Sequence, residues 1–350
     1  MSIRKLFRVR EWLVTKLLFN SGFVLAVFYY TKPDILFIIE TVALMSIYIM
    51  SIGAFGYFVN DWFDSDADRL SGKSNKTSML ALPVKILIAL FLIFMGSFPH
   101  FLLLPGISVY FYLLAAQIIL FLLYSIPPIR LKSNVLGVIA DSMFSFVLPA
   151  FISLLIAIRY PDEIVIKNSV IVALTAWLFF TGLRSILFHQ QKDYENDIIS
   201  KTQTFTVQIG KEKALLLIKM ILPAEIISFF VLAIALPSTL GIAFLFSMFL
   251  YFVIEWLILN RKNKVFNSFI KSVSQLNVLY NYYFFAGIAL LMSIRTDYTY
   301  GIIVLTFVVL RLRNEIFYLL KKFYHRIILF VYYKSLGAIN KIRRLSGKKK

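Results

Sequence analysis

The sequence predicts an all-α polytopic membrane protein, and three observations carry that expectation. First, 60% of its 350 residues are hydrophobic and only 16% are charged, against about 45–50% and about 25% for a soluble domain. Second, apolar stretches of membrane-spanning length recur along the whole chain, leaving no room for a separate soluble domain. Third, the basic residues gather in the short segments between those stretches. The formal net charge of +19 therefore points to loop orientation and anionic lipid headgroups, with no nucleic acid as partner. There is no cysteine, which excludes disulfides and thiolate metal sites.

Nine stretches are expected to cross the membrane: 13–30, 35–59, 83–99, 102–125, 135–158, 168–188, 213–235, 239–259 and 278–294. Each spans about 30 Å of hydrocarbon as a helix, allowing a few residues either side. The first follows Arg4, Lys5, Arg8 and Arg10 without a small-residue cleavage site, so it reads as a retained helix. Turn chemistry marks the breaks, at Lys32-Pro33-Asp34, Pro105-Gly106, Pro127-Pro128, Tyr160-Pro161-Asp162 and Pro237 to Gly241. With the N-terminus inside, the inner segments carry 19 basic residues and the outer loops only Lys32, Arg159, Lys167 and Arg295. This bias puts the N-terminus and the loop after residue 59 on the cytoplasmic side.

Residues 1–295 form the expected transmembrane domain, and 296–350 an addition to it. Segment 299–310 is apolar but short, and Arg311 and Arg313 follow at once. Beyond it, Ile316, Leu319, Leu320, Phe323 and Ile327 alternate with Lys321, Lys322 and Arg326 at helical spacing. That pattern is an amphipathic helix lying on the membrane before the basic tail 341–350. A tenth short span would return this tail to the cytoplasm.

The chemistry is concentrated in residues 60–78. Asn60, Asp61, Asp64 and Asp68 follow an almost unbroken apolar run. If the helix continues, the three aspartates share one face, while Asp66 points to solvent. Carboxylates this dense repel one another unless a cation lies between them, and oxygen donors suit Mg²⁺ shared with a phosphate. A second acidic helix end follows 168–188, where His189, Asp193 and Asp197 form an i, i+4 stripe. Two acidic ends on one membrane face imply one shared diphosphate site, with Lys73, Lys76, Lys192 and Lys201 available to meet phosphate charge. Between them, Pro127-Pro128 stiffens a turn that presents Arg130 and Lys132 after Tyr124.

These motifs carry a resemblance. Asn60-Asp61-x-x-Asp64-x-x-x-Asp68 resembles the first motif of the UbiA superfamily of intramembrane prenyltransferases. Asp193-x-x-x-Asp197 resembles its second, and Tyr124-Ser125-x-Pro127-Pro128-x-Arg130 a stretch common in the family. The resemblance covers residues 10–295. It implies a UbiA-like bundle of nine helices around a cavity open to lipid. It also implies that the two motifs bind a Mg²⁺-complexed prenyl diphosphate, whose prenyl group passes to an aromatic or lipid acceptor. Asn60, Asp61, Asp64, Asp68, Asp193 and Asp197 would be the metal-binding set. The sequence departs from the family after each motif. Lys73 and Lys76 stand in place of a usual Arg, and Lys201 stands at a usual Gly.

Within the membrane, Arg184 is expected to face the cavity and Asp141 to serve as an acceptor-side base or as the partner of Arg184. Lys16, Asn20 and Gln117 are further cavity candidates, and Glu225 and Glu255 are packing groups. His189 is expected to orient a carboxylate, accept a proton or cap a helix. Two rival functions use the same carboxylates: phosphoribosyl transfer to a polyprenyl phosphate, and cation transport. The absence of an acidic ladder at mid-depth argues against an ion path.

Overall fold

The structure is a computed structural model, describing residues 6–70, 72, 75–103, 108–159, 166–251, 276–277 and 279–295. Among the described residues there are helices and turns but no strands. Helix α1 (Val9–Thr31) is followed by α2 (Ile35–Phe63) and by the short α3 (Ser65–Leu70). Next come α4 (Leu82–Leu103), α5 (Ser108–Ser125) and α6 (Val135–Ser142). A π-helical turn, Met143–Val147, joins α6 to α7 (Leu148–Ala157). Then follow α8 (Asn168–Ile199), the short α9 (Phe205–Ile209), α10 (Lys211–Ala235) and α11 (Ser238–Tyr251). A second π turn, Leu279–Tyr283, leads into α12 (Phe284–Arg295).

Every predicted apolar stretch contains helix among its described residues. Among the described residues, six helical segments are long and apolar enough to cross a membrane, and Val109–Ser125 and Ser238–Tyr251 are shorter apolar helices. Capping explains where several begin and end. Asp34 caps α2 by accepting from the Phe37 N–H at 2.8 Å. Asn134 does the same for α6, accepting from Leu136 and Gly137. The expected addition at 296–350, with Arg311, Arg313 and the amphipathic pattern, lies outside the described residues.

Packing runs from α1 to α2, α5, α6, α8, α10, α11 and α12, and from α12 back to α1, closing a ring. Helix α4 packs outside it on α2. Its outward residues Leu87, Leu90, Phe91 and Phe94 are exposed; in a bundle solvated by lipid such side chains meet acyl chains. The core is aromatic. Trp177 is fully buried and contacts the rings of Phe19, Phe23, Phe229, Phe244, Tyr280 and Phe284. At the end of the bundle away from the acidic motifs, Arg159 pairs with Glu40 at 2.6 Å, donates to Thr41 and lies 3.9 Å from the Phe37 ring centre.

One length matters for the site. Helix α8 has 32 residues and extends about 48 Å at 1.5 Å per residue, well beyond a hydrocarbon core of about 30 Å. Its last turns therefore carry Asp193 and Asp197 past the apolar layer without a break in the helix.

Candidate active site

The first acidic motif forms where α2 ends. The helix runs to Phe63, and Asp64 takes a non-helical conformation (φ −97°, ψ 5°). Hydrogen bonds from Asp64 N–H to Asn60 O and from Asp68 N–H to Asp64 O carry the chain into α3. Asp61 is buried, Asp64 and Asp68 are half-buried, and Asp66 is exposed, as expected of a solvated side chain.

Helical hydrogen bonds run on through the motif, and Asp61, Asp64 and Asp68 act on one another electrostatically. Each has taken a separate partner. Asp64 Oδ1 lies 2.6 Å from Arg130 Nη2, and both its oxygens lie 2.5 Å from Lys132 Nζ. Asp61 Oδ1 lies 3.5 Å from Arg8 Nη1. Asp68 Oδ2 accepts from Asn75 Nδ2 at 2.8 Å, and the same amide donates to the Asp61 carbonyl at 2.6 Å. Like charges two turns apart lower their mutual repulsion by binding different cations or donors. Among the described residues, no group of three or more His, Asp or Glu side chains is arranged to hold a metal ion.

The Arg130–Lys132 turn is built for this contact. Arg130 sits in the left-handed region at φ 37°, Pro127-Pro128 is cis, and a 3₁₀ turn follows at Leu131–Ser133. Gly137 allows α6 to pack against that turn, since a Cβ there would lie 2.1 Å from the Leu131 carbonyl oxygen. The Lys132 side chain is only 5% exposed. Burial lowers its ammonium below the ordinary lysine value and Arg130 pushes the same way, while Asp64 and Asp197 oppose them. Lys132 thus feels carboxylates of both acidic motifs.

The second motif keeps the predicted stripe on α8. His189 Nε2 lies 3.6 Å from Asp193 Oδ2. Asp197 is buried and accepts from Thr204 Oγ1 at 3.2 Å, and its carbonyl accepts from the Thr202 N–H at 2.8 Å. Lys201 is exposed and adopts φ 54°, the left-handed conformation that glycine adopts without cost. The backbone geometry thus favours glycine at this position, and lysine adopts it at a steric cost. Lys76 is half-buried and precedes the 3₁₀ turn Thr77–Met79. Lys192 lies 4.4 Å over the Phe188 ring. Lys73 lies outside the described residues.

Below these motifs a cavity of about 180 Å³ runs into the bundle. Its wall includes the predicted residues Asn60, Tyr124, Asp141 and His189, together with Lys16 and Gln117. The Lys16 ammonium donates to the Ser145 carbonyl at 2.6 Å, lies 3.9 Å over Phe146, and attracts the Asp141 carboxylate. Aromatic rings line the rest: Trp12 stacks on Tyr57 at 5.7 Å, and Phe121 meets Phe144 at 4.1 Å. Gly56 permits the close approach of Phe121, whose ring would stand 2.3 Å from a Cβ.

Two intramembrane expectations are corrected. Arg184 does not line this cavity. It is fully buried and pairs with Glu225 at 2.5 and 2.9 Å and with Asn277 at 2.9 Å, joining α8 to α10. A buried guanidinium takes the nearest buried carboxylate, and that is Glu225, not Asp141. Asn20 also lies off the cavity wall, donating to the Lys16 carbonyl and accepting from Ser153. Glu255 falls outside the described residues.

Sequence reasoning missed Arg8 and Asn75. Arg8 had been counted only as an inside charge. It is gripped by Glu11 at 2.6 Å, lies 5.3 Å over Tyr57, and reaches both Asp61 and the cavity. The i, i+3 spacing to Glu11 was the available signal. Asn75 offered none, since its contacts arise only once the loop folds back.

The family model of the UbiA prenyltransferase family matches residues 21–278. The chain belongs to the UbiA prenyltransferase family. Solved structures share the fold. A UbiA homolog from Archaeoglobus fulgidus bound to DMAPP and Mg²⁺ matches with a TM-score of 0.57 and 19% identity, over 82% of this chain and 98% of that one. The same homolog bound to GPP and Mg²⁺ gives 0.56 and 20%, over 82% and 99%. A structure described for digeranylgeranylglyceryl phosphate synthase in membranes gives 0.52 and 16%, over 81% and 96%. No curated protein was found to match the sequence. Family membership and the apolar helices make this UbiA-family chain an integral, multi-pass membrane protein.

Proposed function

We propose that this UbiA-family protein is a Mg²⁺-dependent intramembrane prenyltransferase that moves a prenyl group from a prenyl diphosphate to an aromatic or lipid acceptor. In this reading nine helices cross the membrane and the two acidic motifs face the cytoplasm. The observation that carries it is the contact of Lys132 and Arg130 with Asp64, with Asp197 acting on the same lysine, close in sequence to Asn60, Tyr124 and Ser125 of the aromatic cavity wall. Cations and carboxylates from three elements thus meet where apolar walls begin, the arrangement that a charged head on an apolar tail requires.

The metal fits the donor chemistry, although among the described residues the carboxylates are not gathered around one point. Asn60, Asp61, Asp64, Asp68, Asp193 and Asp197 offer hard oxygens, which suit Mg²⁺ and a shared diphosphate. When bound, the metal would neutralise the leaving diphosphate. Arg8, Arg130 and Lys132 would then exchange carboxylate partners for phosphate oxygens, which charge-assisted hydrogen bonds favour. Lys73, Lys76 and Lys201 add positive charge from the loops.

The allylic C–O bond breaks with its electron pair leaving on the diphosphate. The rings of Tyr57, Trp12, Tyr124 and Phe121 present π faces to the cationic carbon and keep water from quenching it. The acceptor's nucleophilic atom forms the new bond to that carbon. Its lost proton passes to Asp141, a cavity-wall carboxylate in the electrostatic field of Lys16. His189, beside Asp193, orients that carboxylate.

The test is a donor screen on purified protein, with prenyl diphosphates against phosphoribosyl diphosphate and mass spectrometry of the lipids formed. Asp64→Asn and Asp193→Asn are each expected to abolish Mg²⁺-dependent diphosphate release while the protein still folds. Full activity in both variants, or product from phosphoribosyl diphosphate alone, would overturn the reading.

A further inference from the structure

The cavity has a floor. Along α2 its wall is formed by Asn60, Tyr57, Gly56, Gly53, Ile52, Ile49 and Tyr48, a single face followed inward from the motif end. The other helices descend with it: Ser125 to Gln117 on α5, and Asp141 to Pro149 through the π turn. At the inner end the Tyr48 hydroxyl donates to Gln117 Oε1 at 2.7 Å, and Gln117 Nε2 donates to the Phe144 carbonyl at 2.8 Å. Tyr48 is fully buried and Gln117 is 2% exposed. A chain of hydrogen bonds therefore ties α2, α5 and the π turn together across the cavity's inner end.

The π turn makes this tie possible. In a regular helix each interior carbonyl is occupied by the fourth N–H onward. Here the Leu148 N–H bonds to Met143 O, five residues back, and the neighbouring carbonyls of Phe144 and Ser145 accept from Gln117 and Lys16. Buried in apolar surroundings, such a tie is costly to break, because each freed polar group would find no water. It is a fixed wall and not a soft contact.

We propose that Tyr48 and Gln117 set the maximum length of the prenyl chain this protein accepts, and that its donors are geranyl to farnesyl in size. This rests on the prenyl-diphosphate reading above. From Asn60 to Tyr48 the helix advances about 18 Å at 1.5 Å per residue. Three backbone bonds of an extended chain cover up to about 3.6 Å, so a four-carbon isoprene repeat covers roughly 5 Å. Three repeats reach the floor, and a fourth meets Tyr48. Chains that overrun a fixed apolar wall lose at least the discrimination of one or a few methylenes, about tenfold or more.

The experiment uses the full-length protein in detergent with Mg²⁺ and four donors: dimethylallyl, geranyl, farnesyl and geranylgeranyl diphosphate. Diphosphate release and thermal stabilisation by each donor are measured, with inorganic diphosphate as the control for head-group binding. The wild type should use farnesyl diphosphate about tenfold or more better than geranylgeranyl diphosphate. Tyr48→Ala should erase that step, and Gln117→Ala should reduce it. Equal use of farnesyl and geranylgeranyl diphosphate by the wild type would overturn the floor while leaving the prenyltransferase intact, as would an unmoved limit in Tyr48→Ala. No response to any of the four would overturn the prenyl reading itself and the floor with it. The wild-type series decides the matter even if Tyr48→Ala fails to fold.

Discussion

Lys132 Nζ stands 2.5 Å from both carboxylate oxygens of Asp64, although 68 residues separate them. The two belong to different motif stretches, and the contact fixes the turn after α5 against the end of α2. Lys132 is also within the field of Asp197 on α8. It is therefore a cation that lies in the field of both acidic motifs.

Replacing Lys132 by Met keeps the side-chain volume and removes the charge. A hydrogen bond to a charged group is worth about 1.5–3 kcal/mol, so KM for a prenyl diphosphate should rise roughly 10–100-fold. Steady-state kinetics at saturating Mg²⁺ checks this. A fall in kcat with an unchanged KM would place Lys132 outside diphosphate binding.

Gly137 packs α6 against the backbone of Leu131. Gly137→Ala would force the turn away from α6 at a cost of about 1–3 kcal/mol, carrying Lys132 off Asp64. Activity should fall further than the loss of thermal stability explains, measured by melting in detergent alongside the rate. Gly182→Ala, at another close approach, should lower stability with a smaller effect on KM.

The Arg184–Glu225 pair is structural. Arg184→Leu leaves a buried carboxylate alone and should destabilise the protein by about 3–5 kcal/mol, whereas the double change Arg184→Leu with Glu225→Leu should recover most of it. Thermal unfolding of the two variants reads the difference. An Arg184→Leu variant of normal stability but no activity would restore Arg184 to the catalytic set.

Asn75 holds Asp68 and the Asp61 carbonyl through a single amide. Asn75→Ala should cost about 1–2 kcal/mol in stability and weaken the apparent affinity for Mg²⁺ in an activity titration. Chelation should silence the wild type, and Mg²⁺ should restore it. Unchanged Mg²⁺ dependence in Asn75→Ala would show that Asp68 needs no such support.

Much of the fold was legible because its signal is local. Apolar run length marked the helices, Pro and Gly marked the breaks, and carboxylates at helical spacing marked α2 and α8. The identity of partners was not legible, because a buried charge chooses among neighbours that only packing supplies. Asp141 and Glu225 were both plausible partners for Arg184 in sequence, and the packing of α8 on α10 decided for Glu225. Arg8 looked like an orientation charge because its role depends on Asp61, which lies 53 residues away. The π turn left no trace either, since Met143–Val147 reads as ordinary apolar helix.

That turn gives the family scaffold an unusual lever. A π turn differs from regular helix by one residue, so a single deletion within 143–147 would draw the Phe144 and Ser145 carbonyls back into the ladder. Because a π turn absorbs one extra residue, Leu148–Ala157 would keep its face toward the bundle. Insertion or loss of one codon could thus re-gauge the depth of the cavity in one step while leaving every aspartate motif untouched. On the proposed reading, substrate range would be tied to helical register as much as to side-chain identity.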